Sequence, residues 1–272
     1  MNKDTLIVTL SDMHSGSTTA LFPDQFIQFR NGGNHTPTSK QLKIYNHFVY
    51  CAEIVAKARE DKRLIIVHNG DAIEGNHHGT SQLISNDEAD HVMTHIILMK
   101  EFKKLVGYRR GDMLFYTSGT AVHTGDHEDE CAKETGAQQT DDGLYVFDIL
   151  KREVNGRLLW WTHHGTTAGK GANKGNSLRN FLKNIYYDRI EEGKRPPDFV
   201  ITGHVHVPFY NTSIQVYGDG YHVTHGLINP SWQMKTRYGH MKAPVERNKV
   251  GLSLFEITVG GDIRPPLIPI MK

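Results

Sequence analysis

Five short blocks place aspartate or histidine beside glycine or another small residue. They are Asp12-Met13-His14, Gly70-Asp71, Gly119-Thr120-Ala121-Val122-His123, His163-His164-Gly165 and Gly203-His204-Val205-His206. Carboxylate oxygens and neutral imidazole nitrogens are donors that suit Mn²⁺, Fe and Zn²⁺, and a carboxylate can bridge two cations. Two cations about 3.5–4 Å apart can activate water, hold a phosphate and neutralise charge on entering and leaving oxygens. The adjacent glycines let the backbone turn sharply, so that side chains from separate loops converge. A D-x-H triplet or a Gly-Asp pair alone says little, since Gly-Asp is most often a turn. The ordered set is the signal.

What could bring them together is a sheet whose strand ends lie side by side. Thr5–Leu10, Arg63–His68 and Asp112–Thr117 are short β-rich runs, each followed by one of the blocks. Helical patterns separate them. One starts after Thr38, which forms a capping box with Gln41, and runs to about Arg59; the next starts with Ser85 and Glu88 and runs towards Leu105. Strand–helix–strand–helix–strand predicts right-handed crossovers and a parallel sheet, whose ligands bind beyond the carboxyl ends of the strands. In the second half, strands are expected at Tyr145–Ile149, Leu158–Thr162 and Phe199–Thr202, with a helix over Ser177–Glu192. Hairpin-like strands follow near Ser213–Tyr217, Tyr221–Thr224 and Val250–Thr258. No repeat or linker interrupts the chain, so the expectation is one domain over residues 1–272 with a mixed α/β core.

Composition narrows the function. With 272 residues, 31 basic against 30 acidic, the chain lacks the net charge of a disordered segment or a general nucleic-acid coat. No apolar run reaches a membrane span, and Leu6-Ile7-Val8 is too short a core for a signal peptide. Two cysteines, Cys51 and Cys131, read as free thiols in a reducing compartment, so the expected location is cytoplasmic. Charge is uneven, with nine acids and one base over Gly111–Leu150 but ten bases and four acids over Lys151–Pro197. The two readings are ordinary solvated faces, and a basic rim beside an acidic metal pocket suited to a phosphate-bearing substrate.

The blocks resemble the calcineurin-like metallophosphoesterase superfamily, whose pattern is D-x-H, G-D-x-x, G-N-H-[DE], a strand ending in His-Gly, and G-H-x-H. The resemblance spans Asp12 to His206, and four of the five blocks match. It implies a four-layer α/β/β/α sandwich with mixed sheets and a centre of two divalent metal ions, Mn²⁺ first and Fe or Zn²⁺ as alternatives. By that carry-over Asp12, His14 and His206 hold the first metal, Asp71 bridges, and His164 and His204 hold the second. The third block departs from the pattern. Thr120 stands where the family has the Asn ligand of the second metal, and His123 lies two residues beyond the usual His. His123 is the favoured proton donor or phosphate contact; Asn76, His77 and His127 are alternatives for filling the gap, and an empty second site is another.

Other patterns are weaker. Gly165–Gly171 lacks the spacing of a phosphate-binding loop, which leaves Lys170 or Lys174 as phosphate contacts or plain solvated residues. His91 and His95, four apart, read as ordinary helix residues. By alternation His163 is expected to face away from the metals. The implied activity is phosphoester hydrolysis by in-line attack of a metal-bridging hydroxide, leaning towards phosphodiesters of nucleic acid or nucleotides because of the basic stretch after His164. A small-molecule phosphomonoesterase is the nearer alternative. A scaffold of the same fold without catalysis is the alternative from another class.

Overall fold

The run Thr5-Leu-Ile-Val-Thr-Leu10 forms β1 and is buried along its whole length, as a strand covered on both faces requires. In this computed structural model residues 3–30, 32–77, 81–167, 173, 175–237 and 248–272 are described. The elements that follow are β2 (Ile27–Gln28), β3 (Asn34–His35), α1 (Ser39–Arg59), β4 (Arg63–Asn69), α2 (Glu88–Leu105), β5 (Met113–Thr117), α3 (Ala121–Thr124) and α4 (His127–Glu134). Then come β6 (Val146–Phe147), β7 (Leu150–Val154), β8 (Arg157–Trp161), α5 (Asn176–Glu191), β9 (Phe199–Thr202), β10 (Phe209–Tyr217), β11 (Gly220–Ile228) and β12 (Ser253–Ile257).

Two five-stranded sheets face each other. The first has the order β12-β1-β4-β5-β6, parallel except for β12, which runs antiparallel to β1. The second has the order β10-β11-β9-β8-β7, with a parallel centre and antiparallel pairs at both edges. Strand periodicity sorts the apolar side chains into three cores. Leu6, Val8, Leu64 and Ile66 meet Phe48, Leu98 and Phe102 of α1 and α2. On the opposite face Ile7, Ile65, Val67 and Phe115 meet Leu159, Trp161, Phe199 and Phe255 between the sheets. Trp160 and Val200 turn outward onto Leu178, Leu182 and Ile185 of α5. The result is the expected α/β/β/α sandwich.

Local signals explain most boundaries. Thr38 caps α1 with the full capping box, Gln41 N donating to Thr38 Oγ1 at 3.2 Å and Thr38 N to Gln41 Oε1 at 3.0 Å. The expected start of α2 at Ser85 is corrected. Asp87 is the cap, accepting from Ala89 N at 3.0 Å, while Ser85 braces the turn by donating to Asp90 Oδ2 at 2.6 Å. A carboxylate directly before the first turn satisfies free N–H groups and favours the positive end of the helix. The expected strand at Tyr145–Ile149 shrinks to Val146–Phe147, and β12 is no hairpin partner but closes the first sheet against β1. The two cysteines are free and buried. Among the described residues no helix is long and apolar enough to cross a membrane.

The core between the sheets is the part most sensitive to truncation. Phe199 is fully buried, its ring centroid 4.3 Å from that of Phe255 across the interface. Phe199→Ala should lower stability by about 3–5 kcal/mol, seen as a fall in the urea midpoint without a change in slope. A loss below about 1 kcal/mol would show that the sheets do not depend on this contact.

Candidate metal centre

All five blocks emerge at one end of the sandwich, where β1, β4 and β5 of the first sheet and β8 and β9 of the second deliver their following loops. The loops are tied by their backbones: Asp12 N donates to Gly70 O at 3.0 Å, His14 N to Asp71 O at 3.0 Å, and Trp232 N to Asp12 O at 3.0 Å. They are also strained. Of seven non-glycine residues with positive φ among those described, five are Asp12, His14, Asp71, His204 and His206. Such conformations concentrate where surrounding structure over-determines a functional geometry. Gly119 shows how tight the convergence is: a Cβ there would lie 2.2 Å from Asp71 N.

The side chains meet in two neighbouring groups. In the first, His206 Nε2 lies 3.0 Å from Asp12 Oδ1 and 3.3 Å from His14 Nε2. In the second, Thr120 Oγ1 lies 3.2 Å from His164 Nε2, 3.4 Å from His204 Nδ1 and 3.4 Å from Asp71 Oδ2. Asp71 stands between them, with Oδ2 3.7 Å from His14 Nε2 and Oδ1 accepting from Thr120 N at 2.6 Å. The first group is largely buried, whereas His164 and His204 are exposed, so solvent reaches the centre from the second group's side.

His163 differs from its expectation. Leu159, Trp161 and His163 share the parity that faces the first sheet, so the ring points into the centre and not away from it. Its Nδ1 faces Asn69 O at 2.8 Å, and its Nε2 lies 3.1 Å from Asp71 Oδ2 and 3.7 Å from Asp12 Oδ1. Close as these carboxylates are, Nε2 has no aligned hydrogen bond and almost no contact with solvent. A buried ring nitrogen left so, aimed between two carboxylates and joining His164 and His204 in another donor group, is what a cation-binding site requires. Carboxylate and imidazole donors without thiolates fit Mn²⁺, Fe or Zn²⁺.

The remaining expected residues divide. His123 packs edge-on against His14 and His77, with ring centroids 4.8 and 4.1 Å away, and its Nδ1 donates to Glu74 O at 2.9 Å. It thus lies beside the first group, not in the position left by the missing Asn. His77 also approaches Glu74 Oε1, at 3.5 Å. Asn76 is exposed, its backbone N–H bonded to Glu88 Oε1 at 2.7 Å. His127 is drawn off by Glu88 at 3.0 Å. His91 and His95 lie in the helix layer, His91 under Gly16 and His95 against Tyr116. Lys170 and Lys174 lie outside the described residues.

Supporting residues complete the arrangement. Glu74 Oε2 is 3.0 Å from His14 Nδ1 and accepts from Gln233 Nε2 at 2.7 Å; Asn248 Nδ2 stands 2.8 Å from His206 Nδ1. Such partners fix the orientation of liganding rings. Glu128, from α4, was not foreseen. Its buried carboxylate accepts from Ala72 N at 3.1 Å and Gly119 N at 2.6 Å, clamping the Asp71 and Thr120 loops together. Only its place in an acidic run marks it in the sequence, and such runs are usually solvated.

Electrostatics follow from packing acids and imidazoles out of water. Burial pushes Asp12 up, but His206 and His163 outweigh it and hold the group below the usual carboxylate range; His163 and His14 do the same for Asp71. Burial pushes His14 down, yet Glu74, Asp71 and Asp12 raise it to about 9, and Asp71 and Asp12 raise His163 to about 10. Burial and neighbouring His14 push His123 down to about 4. Burial, followed by the positive His163, also lowers His164 and His204, which leaves their lone pairs available.

The four layers and the strand-end loops form the α/β/β/α sandwich that the sequence resemblance implied. No family profile matches the chain, and no curated protein gives a significant match. Among solved structures, the chain is similar to the NAD nucleotidase of Haemophilus influenzae, at 11% identity over 98% of this chain and 50% of that one, TM-score 0.46. It is similar to a Thermotoga maritima protein at 13% identity over 97% and 98% of the two chains, TM-score 0.38. A third similarity is to the 5'-nucleotidase of Candida albicans, at 10% identity over 96% of this chain and 48% of that one, TM-score 0.33. The chain thus spans about half the length of the two nucleotidases.

Protonated imidazoles cannot coordinate, so cation binding must displace their protons. With His14 raised to about 9 and His163 to about 10, Mn²⁺ binding at pH 7.5 should release about one to two protons, and affinity should climb as pH rises towards 9. Titration calorimetry in buffers of different ionisation heat measures this; binding without proton release would remove both imidazoles from the ligand set.

Proposed function

We propose that this protein is a metal-dependent phosphoester hydrolase with a two-metal centre, acting on phosphodiesters of nucleic acid or nucleotides in the cytoplasm, and built as one domain. The observation that supports the reading most is the pair of donor groups sharing Asp71: Asp12, His14 and His206 on one side, His164, His204 and Thr120 on the other, with His163 between. When bound, two divalent cations supply Lewis acidity to phosphoryl oxygens and make water a nucleophile near neutral pH.

The chain's own groups account for the rest. Asp12, His14 and His206 would hold one cation and His164 and His204 the other, with Asp71 placed between the two groups. The Thr120 hydroxyl takes the place of an amide oxygen and is a weaker donor. Glu74 and Asn248 keep His14 and His206 turned inwards, and Glu128 keeps the Asp71 and Thr120 loops in register. His123 is the proton-transfer group. Its Nδ1 is committed to Glu74 O, which leaves Nε2 to exchange the proton, and its lowered pKa makes it neutral at pH 7. Nε2 would take a proton from solvent and give it to the leaving oxygen.

Metal content and hydrolysis of bis-p-nitrophenyl phosphate and p-nitrophenyl phosphate, with Mn²⁺ and with chelator, test the reading. The expected result is about two metals per chain, diester cleavage that Mn²⁺ supports and chelator abolishes, and a preference for the diester. Asp71→Asn should lower the metal content and reduce kcat by about a hundredfold or more. Preference for the monoester would replace the phosphodiesterase reading with a phosphatase. A folded protein that binds no metal and turns over neither ester would be a scaffold.

A further inference from the structure

A groove of about 470 Å³ opens one residue beyond His164, between the Gly165 loop and α5. Its walls hold four carboxamides, Asn173, Asn176, Asn180 and Asn184, together with Ser177 and Phe181. Asn176, Asn180 and Asn184 recur every fourth residue, so they form one row along two turns of the helix. Phe181 fixes the near end. Its ring packs against Gly165 so closely that a Cβ there would fall 2.3 Å from Phe181 Cζ, and the half-buried ring also lines the groove.

The row has no evident structural purpose. Asn is a poor residue for a helix interior compared with Ala. Asn176 is occupied, bonded to Asn173 Oδ1 at 3.1 Å and accepting from Arg179 Nη1 at 3.2 Å. Asn180 and Asn184 are exposed and make no side-chain hydrogen bond among the described residues. A carboxamide presents donors and an acceptor on one planar group, which matches the mixed edge of a nucleobase, and an aromatic ring offers the base a stacking surface. The neighbouring row on α5 carries Arg179 and Lys183, with Lys183 Nζ 5.8 Å from the Tyr187 ring centroid. Cations and an aromatic ring beside polar, uncharged groups are the means by which proteins hold single-stranded nucleic acid. The carboxamide row ends at Asp188, whose carboxylate repels a phosphate.

We propose that this groove binds the nucleobase next to the phosphate held at the metal centre, so that the substrate is a nucleotide phosphodiester, free or within a single strand. The inference rests on the phosphoesterase reading above and adds to it a site for the base. The base lies against Phe181 and is read by Asn180 and Asn184, while Arg179 and Lys183 face the backbone that continues away from the centre.

Asn180→Ala/Asn184→Ala tests it. Both positions are exposed and Ala favours the helix, so the variant should fold, which thermal unfolding checks. The readout is a ratio: kcat/KM for the p-nitrophenyl ester of thymidine 5'-phosphate, and for oligothymidylate, each divided by that for bis-p-nitrophenyl phosphate, which has no base. The expected result is a fall of about tenfold in at least one ratio, carried by KM, the size of two lost hydrogen bonds. A fall with both substrates shows a base site open to free nucleotides; a fall with oligothymidylate alone shows a site for the polymer. Ratios equal to those of the parent overturn the proposal. If the parent hydrolyses none of the three, the phosphoesterase reading fails, and anisotropy of a labelled oligothymidylate decides the groove separately. Binding by the parent that weakens about tenfold in the variant supports it; equal affinity, or no binding, overturns it.

Discussion

Two carboxylates, Asp12 and Asp71, are buried almost side by side where the sheets meet, and much of this end of the molecule serves to keep both ionised. Neighbouring acids in a dry site would repel and take up a proton. Here His163 lies between them, His206 meets Asp12 and His14 reaches Asp71, while backbone N–H groups bond the same two carboxylates: His204 N to Asp12 at 3.1 Å and Thr120 N to Asp71 Oδ1 at 2.6 Å. Ser11 also donates to Asp12 Oδ2. Five strand ends are therefore needed to satisfy two side chains. That requirement explains why the sheets must face each other with these ends together.

The loops that make this possible would not hold their shapes alone. Left-handed backbone at Asp12, His14, Asp71, His204 and His206 costs energy at each position. The strain persists because the first two loops are hydrogen-bonded to each other residue by residue, and because Glu128 ties the second to the third from beneath. A side chain on a left-handed residue leaves the chain in a direction that regular strand backbone would not give. Strain, carboxylate position and ligand direction are thus aspects of a single arrangement, and altering one loop disturbs the others.

The expected layers were legible because β1, β4, β5 and β9 are buried strands bounded by small residues, and because Thr38 with Gln41 marks a helix start by a local bond. The convergence of these side chains at one end was legible because Asp and His recur at successive strand ends. What escaped depends on distant contacts. The antiparallel pairing of β12 with β1 joins residues some 250 apart and leaves no local trace. The charged Lys151-Arg152-Glu153 conceals β7, an edge strand whose middle is exposed. His163 was expected on the wrong side because alternation fixes parity but not which face meets the other sheet; Trp160 and Trp161 look alike until one packs on α5 and the other between the sheets. Glu128 resembles its solvated neighbours on α4, and only the fold shows that its carboxylate turns inwards.

The uneven charge of the chain acquires a direction once the helices are placed. Helix α4, with Glu128, Asp129, Glu130 and Glu134, borders the centre on the side of His123 and the Thr120 loop. Helix α5, with Arg179 and Lys183 in its first two turns, borders it on the side of His164. An anion approaching the open second group is repelled from one flank and attracted by the other. A mononucleotide would sense this as a modest preference in orientation. A strand carrying a phosphate at every unit would sense it repeatedly, so its continuation beyond the reacting phosphate is directed over α5 and away from α4. Charge that looks like scatter in the sequence thus gives the site two unlike flanks, a basic one at α5 and an acidic one at α4.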